Sequence, residues 1–314
     1  MSATTFNLST LNLAAGTYSI TVQAEAEGYT DSDASNAVNY TAAAPIPTDS
    51  IVFAGETSDF TLKATNKSWN GTVEYSTDKN TWSTWDGSEI SSADKKLYLR
   101  GKNNTTFYTT KAVQFVLSAN AGCYGNINTL LDYENPPTTL ASSCYREMFY
   151  GCTLLTTAPE LPATTLAYAC YSSMFYGCRS LTAAPALPAT TLAESCYYSM
   201  FGGCKSLTTA PELPAEILAD YCYYSMFQGC TSLTTAPALP ATTLADRCYR
   251  SMFSDCTGLK ISATQTGEYT TAWRIPSTGE IAVEATDWNT YMLNGTGGTF
   301  KGDPSINTTY YIAG

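Results

Sequence analysis

The chain has 314 residues, 14% of them charged, with 27 acidic against 16 basic side chains and a net charge of −11. That length allows two or three domains, while the acidic balance and the lack of any Lys/Arg cluster argue against nucleic acid and anionic lipid as partners. Histidine is missing, which removes the commonest general base, the commonest metal ligand and every His-dependent triad, and leaves two-carboxylate glycosidase chemistry as the open enzymatic route.

Thr, Ser, Ala and Tyr are frequent, with 23 tyrosines, a mixture that suits β-rich, extracellular-style modules. No stretch approaches the roughly 18 apolar residues of a membrane span, so no membrane insertion is expected. Residues 1–10 lack a basic n-region and an apolar h-region and do not read as a secretory signal.

In chain order, residues 17–24 and 37–40 alternate as strands around a turn at residues 28–32. They resemble the last strands of a bacterial Ig-like or fibronectin-type module. Residues 1–44 are too short for a whole sandwich of about 100 residues. They are read as a partial Ig-like β segment or an assembly strand that completes a partner's sheet. A linker follows at residues 42–48. Residues 45–120 predict a small β-sandwich-like module. Its strands fall at Thr72–Ser76, 82–85, 96–100 and 113–117, with turns at Asn70-Gly71, 78–80 and Asp86-Gly87.

The middle of the chain is an internal repeat, expected to form domain 121–260. Aligned on Cys-Tyr, segments start at Cys144, Cys170, Cys196, Cys222 and Cys248, a period of 26 without slippage. Each of the first four supplies Cys, Met, Phe, Cys and three Leu at fixed places. One unit cannot bury that set alone; stacked units can. A period of 26 lies within the leucine-rich-repeat range. The fold class expected is therefore β-rich and multidomain, a short leucine-rich-repeat solenoid of 26-residue coils preceded by small β-sandwich-like modules. At about 4.8 Å per coil, five coils give a stack about 20–25 Å long.

Within a coil, Cys-Tyr-x-Ser-Met-Phe-x-Gly-Cys reads as a short helical or turn-rich segment with the Gly as its stop. The Ala-Pro-x-Leu-Pro run is extended, because its prolines forbid helix. One short strand per coil is expected near Leu155, Leu181, Leu207 and Leu233, together forming a narrow parallel sheet. An irregular first coil should start near Gly122.

Met174, Phe175, Gly177, Cys178, Ser180 and Leu181 form Met-Phe-x-Gly-Cys-x-Ser-Leu. This resembles the Ala-Phe-x-x-Cys-x-Ser-Leu signature of BspA-like leucine-rich-repeat surface proteins. Where that family has Ile, this chain has Cys170 and Cys196, and Ala-Pro-x-Leu-Pro replaces its Ile-Pro strand, so poorer strand pairing is expected. The resemblance implies a place on bacterial surfaces and a role in adhesion.

Residues 261–314 read as an insertion followed by a degenerate capping coil. Met292 and Leu293 lie 40 residues after Met252 and Phe253. Trp288 stands for the first Cys, Thr296 for the second, and residues 308–310 for Thr-Thr-Leu. The 14-residue insertion includes residues 273–283, which predict a β-hairpin around Ser-Thr-Gly.

Ten of the 11 cysteines form two ladders. One is Cys144, Cys170, Cys196, Cys222 and Cys248; the other is Cys152, Cys178, Cys204, Cys230 and Cys256. Five per ladder cannot pair fully, and a spacing of eight does not suit zinc, so both are read as buried structural thiols acting as small hydrophobes. Cys123 is left over as a free thiol. Tyr145, Tyr171, Tyr197, Tyr223 and Tyr249 recur and read as structural rings along the coil face.

Positions that vary from coil to coil should be exposed. They are Arg146, Ser172, Tyr198, Tyr224 and Arg250 in one column, and Tyr150, Tyr176, Gly202, Gln228 and Ser254 in the other. Arg146, Tyr150, Tyr176, Tyr198, Tyr224, Gln228 and Arg250 are the candidate binding surface, with a paratope-like composition; the bland alternative is a solvated face. Glu160 with Glu212, and Asp220 with Asp246, share repeat positions and read as solubilising. Trp82 and Trp85 suit strand packing better than sugar stacking.

No catalytic residue, cofactor or metal site is expected. The function expected is a surface-exposed adhesion or receptor-binding structural protein of a bacteriophage particle (fibre or decoration) or a bacterial surface, extracellular or on the virion surface. Its partners would be a cell-surface protein or glycan, other structural subunits through the N-terminal strands, and further copies of itself. A purely architectural subunit and a carbohydrate-active enzyme or accessory module are the rival classes.

Overall fold

The computed structural model describes residues 16–20, 38–42, 48–282 and 284–313. The chain divides into two compact units, residues 1–47 and 48–314. It is β-rich. The helical element among the described residues is one 3-10 turn, Ile127–Leu130, and no described helix is long and apolar enough to cross a membrane.

In the first unit, β1 (Gly16–Ile20) pairs antiparallel with β2 (Val38–Ala42), Tyr18 opposite Tyr40. The turn expected at 28–32 and residues 43–47 of the expected linker lie outside the described residues.

The second unit begins with two sheets. The larger contains β3 (Ile51–Gly55), β5 (Thr72–Ser76), β6 (Ser83–Thr84), β8 (Lys96–Lys102), β10 (Ala121–Tyr124) and β11 (Leu155–Thr157), in the order β11-β10-β3-β8-β5-β6. The smaller runs β7 (Ile90–Ser91), β4 (Thr61–Ala64), β9 (Phe115–Leu117). Strand β8 shows why alternation makes a strand here. Leu97, Leu99 and Gly101 are buried while their neighbours are not, the two-residue period of a half-buried sheet. The two sheets meet through Phe53, Phe115 and Trp85, with Phe53–Phe115 ring centroids 6.0 Å apart and Trp85–Phe115 5.8 Å apart. Strands β3, β4, β7 and β10 carry no alternation long enough to single them out in the sequence.

On the larger sheet Glu74 stands opposite Arg100, and the pair bonds at 2.7 Å. The Arg100 guanidinium lies between the rings of Trp82, 3.9 Å away, and Tyr133, 4.1 Å away. One face of Trp82 is therefore covered by a cation. Trp85 is 1% exposed and stacks on Trp69.

From residue 141 onward the backbone is a train of overlapping turns, repeated in every unit. In the second repeat, Cys170, Ser172, Met174, Tyr176 and Cys178 donate their N–H groups three residues back, at 3.0–3.2 Å. The residues between them donate to the following repeat: Ala169 to Glu194, Tyr171 to Cys196, Ser173 to Tyr198, Phe175 to Met200 and Gly177 to Gly202, at 2.7–3.1 Å. Every backbone N–H from 169 to 178 is thus satisfied, half locally and half laterally. An α-helix would spend all of them on itself and could not bind its neighbours at coil spacing. This is why the segment is turns and not helix.

Every fourth residue of the arm has positive φ: Ala169 51°, Ser173 54° and Gly177 74°, with the same pattern in the other repeats. Each is the third residue of a turn, where type II geometry requires φ above zero. Gly177 therefore continues the turn train and does not stop a helix. The serines at 173, 199, 225 and 251 hold a conformation that costs roughly 1–2 kcal/mol in an L-residue. The lateral hydrogen bond that each of their N–H groups makes offsets this.

The expected strand per coil forms only at β11, which pairs parallel with β10. Beyond it the structure has an isolated parallel bridge at Ala183–Thr209 and long bonds from Thr208 to Thr182 and from Thr234 to Thr208, at 3.4 and 3.3 Å. The two prolines that follow in each repeat supply no N–H, so no ladder can propagate. A second row of parallel bridges links Thr139, Thr165, Thr191, Ile217 and Thr243.

Both ends of the repeat array are closed by other parts of the unit. Upstream, Phe107, Phe115, Ala121 and Ile127 donate to carbonyls of Cys144, Met148, Leu154 and Glu160. Downstream, Tyr249, Ser251, Phe253 and Asp255 donate to Trp288, Thr290, Met292 and Asn294. Among the described residues, the hairpin expected at 273–283 does not form. Strand β13 (Tyr269–Arg274) instead pairs with β15 (Thr309–Ala313), in a sheet ordered β13-β15-β12-β14 with β12 (Lys260–Ser262) and β14 (Gly297–Gly298). Thr309 and Tyr310 accordingly lie in an antiparallel strand rather than continuing the parallel Thr-Thr-Leu row. Trp273 prefers this long-range pairing because it is buried against Phe253 and Tyr310 there.

Candidate functional site

The interior of the array is a set of columns. Phe149, Phe175, Phe201, Phe227 and Phe253 stack ring on ring with centroids 5.4–5.7 Å apart. Tyr145, Tyr171, Tyr197, Tyr223 and Tyr249 do the same at 5.8–5.9 Å. These tyrosines are at most 1% exposed, so they form an inner column and do not lie along a coil face. Burial pushes their phenols well above the usual range. The Tyr145 hydroxyl bonds to the Ile127 carbonyl and to Asn128 Oδ1, both at 3.1 Å. The buried Tyr171 hydroxyl has no partner.

All 11 cysteines are buried and free. In the second ladder, Cys178, Cys204, Cys230 and Cys256 donate their S–H to the carbonyls of Phe149, Phe175, Phe201 and Phe227, at 2.9–3.1 Å. Each thiol thus ties its repeat to the preceding one. Burial raises the Cys152 thiol to about 11, and those of Cys170, Cys204, Cys248 and Cys256 to about 12. Such thiols stay protonated at neutral pH, the wrong state for nucleophile or metal ligand. No cluster of three or more potential ligands lies among the described residues.

The outer face is set by the turns. Arg146, Tyr150, Tyr176, Tyr198, Tyr224, Gln228 and Arg250 each precede a positive-φ residue, placing them second in their turns. Tyr150, Tyr176 and Gln228 are exposed, and the other four are half-buried. Neighbouring rings stack: Tyr150 on Tyr176 at 5.1 Å and Tyr198 on Tyr224 at 4.8 Å, each at 9° between planes. Arg146 sits over the Tyr108 ring, and Arg250 over the Tyr291 ring with Asp287 3.5 Å from its Nη1.

Variation does not always mean exposure on these columns. Ser172, Gly202 and Ser254 are buried, because a small side chain at a turn tip is shaded by the larger ones above and below. At Gly202 a Cβ would lie 2.7 Å from the Tyr176 ring.

A third column of turn tips holds Asp220 and Asp246, the pair expected to be solubilising, together with Tyr168 and Glu194, which the sequence did not mark. Asp220 Oδ1 accepts from the Asp246 N–H, and Asp246 Oδ1 from that of Thr286, both at 3.0 Å. These carboxylates bond the next tip's free N–H. Glu160 and Glu212 are exposed and sit in repeats separated by the one bearing Ala186. Tyr221, Arg247 and Tyr291 also join the face, as positive-φ residues of the same turns. The signal that could have found them was the Ser-x-x-x-Gly spacing of the three middle repeats, Ser173 to Gly177, Ser199 to Gly203 and Ser225 to Gly229, which marks the turn period.

No family model, curated protein or solved structure matches this chain.

Proposed function

We propose that residues 121–260 are a short leucine-rich-repeat-type solenoid, similar to BspA-like surface proteins, and that residues 45–120 are a small sandwich-like module in front of it. On this reading the chain is a non-enzymatic adhesion or receptor-binding structural protein, displayed on a bacteriophage particle or a bacterial surface, with a cell-surface glycan or protein as its partner. The observation that carries the reading is the division of labour within each repeat. The recurring Cys, Tyr, Met and Phe are buried, and the backbone that carries them is tied laterally. Most of those that vary stand at the tips of turns, rich in Tyr and Arg, as in surfaces selected for contact. The two-stranded β1–β2 sheet, marginal by itself, suits an element that assembles with other subunits or further copies.

The test is binding of the purified chain to glycan arrays and to bacterial cells, beside a variant carrying Tyr198→Ser, Tyr224→Ser and Arg250→Ser. Saturable binding that the triple variant loses at least ten-fold is expected. Binding to no surface, or equal binding by the variant, would overturn the reading.

A further inference from the structure

We propose that the two tip pairs, Tyr150–Tyr176 and Tyr198–Tyr224, are sites of oxidative cross-linking. There a one-electron oxidant of the peroxidase and hydrogen peroxide class joins neighbouring repeats through a carbon–carbon bond between phenol rings.

The geometry singles these pairs out. Within each pair the rings are nearly parallel, 9° apart, with centroids at 5.1 and 4.8 Å. Tyr150 is 44% and Tyr176 37% exposed, and Tyr198 and Tyr224 are half-buried. An oxidant in solvent therefore reaches these rings, and their phenolic protons can leave to water. The inner tyrosines are as parallel but sealed from solvent, at most 1% exposed. Tyr221 lies 5.9 Å from Tyr224, but it is tilted by 32° and its hydroxyl is bonded to Arg247. The backbone beneath each pair is tied by lateral hydrogen bonds, Gly151 to Tyr176 and Ser199 to Tyr224. Each ring therefore keeps one parallel partner and meets it repeatedly.

The chemistry balances. Each phenol gives up one electron and its hydroxyl proton, leaving a phenoxyl radical whose spin is shared with the ring carbons ortho to oxygen. Two such carbons bond. The hydrogen on each then moves to its own oxygen, which restores both phenols. Overall two C–H bonds break and one C–C bond forms. The two electrons and two protons reduce one hydrogen peroxide to two waters. The product closes a 26-residue loop in each case and restricts the unfolded chain as a disulfide would. It fastens the first repeat to the second and the third to the fourth, without the thiols, which are buried.

The test treats the dilute full chain with a haem peroxidase and hydrogen peroxide. Expected are a monomer lighter by two hydrogens per cross-link, dityrosine fluorescence, peptide maps joining 150 to 176 and 198 to 224, and a raised thermal midpoint. Tyr176→Phe and Tyr224→Phe keep the stacked ring and should each remove one cross-link, and the double variant both. Cross-links that are only intermolecular, that map to other tyrosines, or that persist in the double variant would overturn the proposal. So would oxidation confined to cysteine and methionine sulfur with no biaryl product.

Discussion

Replacing Phe201 by Ala tests whether the inner ring column holds the array together. Phe201 is fully buried and stacks on Phe175 at 5.6 Å and on Phe227 at 5.7 Å. Truncating a buried Phe costs about 3–5 kcal/mol, and the upper half of that range applies here because two aromatic pairs, worth about 0.5–1.5 kcal/mol each, are lost together. The void cannot collapse easily. The neighbouring repeats are held at fixed spacing by Phe175 N–H to Met200 O and Phe201 N–H to Met226 O, both at 2.9 Å. The expected loss is therefore about 4–5 kcal/mol. With an m value of about 3 kcal/mol/M, the urea midpoint falls by about 1.5 M. Tyr150→Ala is the matched control, an aromatic ring on the same array, 44% exposed with one stacked neighbour. Its expected cost is about 0.5–1 kcal/mol. A loss under about 1 kcal/mol for Phe201→Ala, or one equal to the control, would refute the column as the source of stability.

Three further outcomes follow from the interior and the sheet. Tyr171→Phe removes a buried hydroxyl without a partner and should leave stability unchanged or raise it by about 1 kcal/mol, whereas Tyr145→Phe, which loses its bonds to Ile127 and Asn128, should cost about 1–2 kcal/mol; in urea titrations Tyr145→Phe should unfold at a lower midpoint than both the parent chain and Tyr171→Phe. Alkaline pH should unfold the chain steeply. Burial holds Cys152 at about 11 and Cys170, Cys204, Cys248 and Cys256 at about 12, while the unfolded thiols ionise near the ordinary value of 9. The unfolded state then binds fewer protons. Stability is fully present below about pH 9 and is lost as pH rises through about 12, at up to about 1.4 kcal/mol per pH unit per thiol; a urea midpoint constant from pH 7 to 11 would contradict this. Arg100→Lys gives up the planar cation between Trp82 and Tyr133 and should lower stability by about 1–2 kcal/mol. An unchanged thermal midpoint would show the sandwich to be incidental.

Much of the interior was legible in the sequence because a strict period makes one residue stand for five. Met, Phe and Cys recurring every 26 residues can be buried only against their own copies, and they are buried at 0–5% exposure. Strands with clear alternation, such as β5 and β8, were equally plain. Which turn a residue occupies was not. Ser173 and Gly177 look like ordinary helix-compatible and helix-ending residues, and only the lateral hydrogen bonds to Tyr198 and Gly202 reveal them as the left-handed corners of a turn train. The outer face inherits that ambiguity: Ser172, Gly202 and Ser254 vary yet are buried, since shading by a neighbouring repeat is not written at the position itself.

Repetition alone, then, determined what goes inside, because identical apolar sets at a fixed spacing have one economical place to hide from water. The direction of the chain between those sets was decided by tertiary contact. Prolines left the expected strand without donors, and Trp273 found its apolar partners in Phe253 and Tyr310 rather than across a local hairpin. Lateral hydrogen bonds at coil spacing turned an apparent helix into a row of corners. Local sequence cannot carry that information, since each bond in the second repeat depends on a residue 25 positions away being held at the same height.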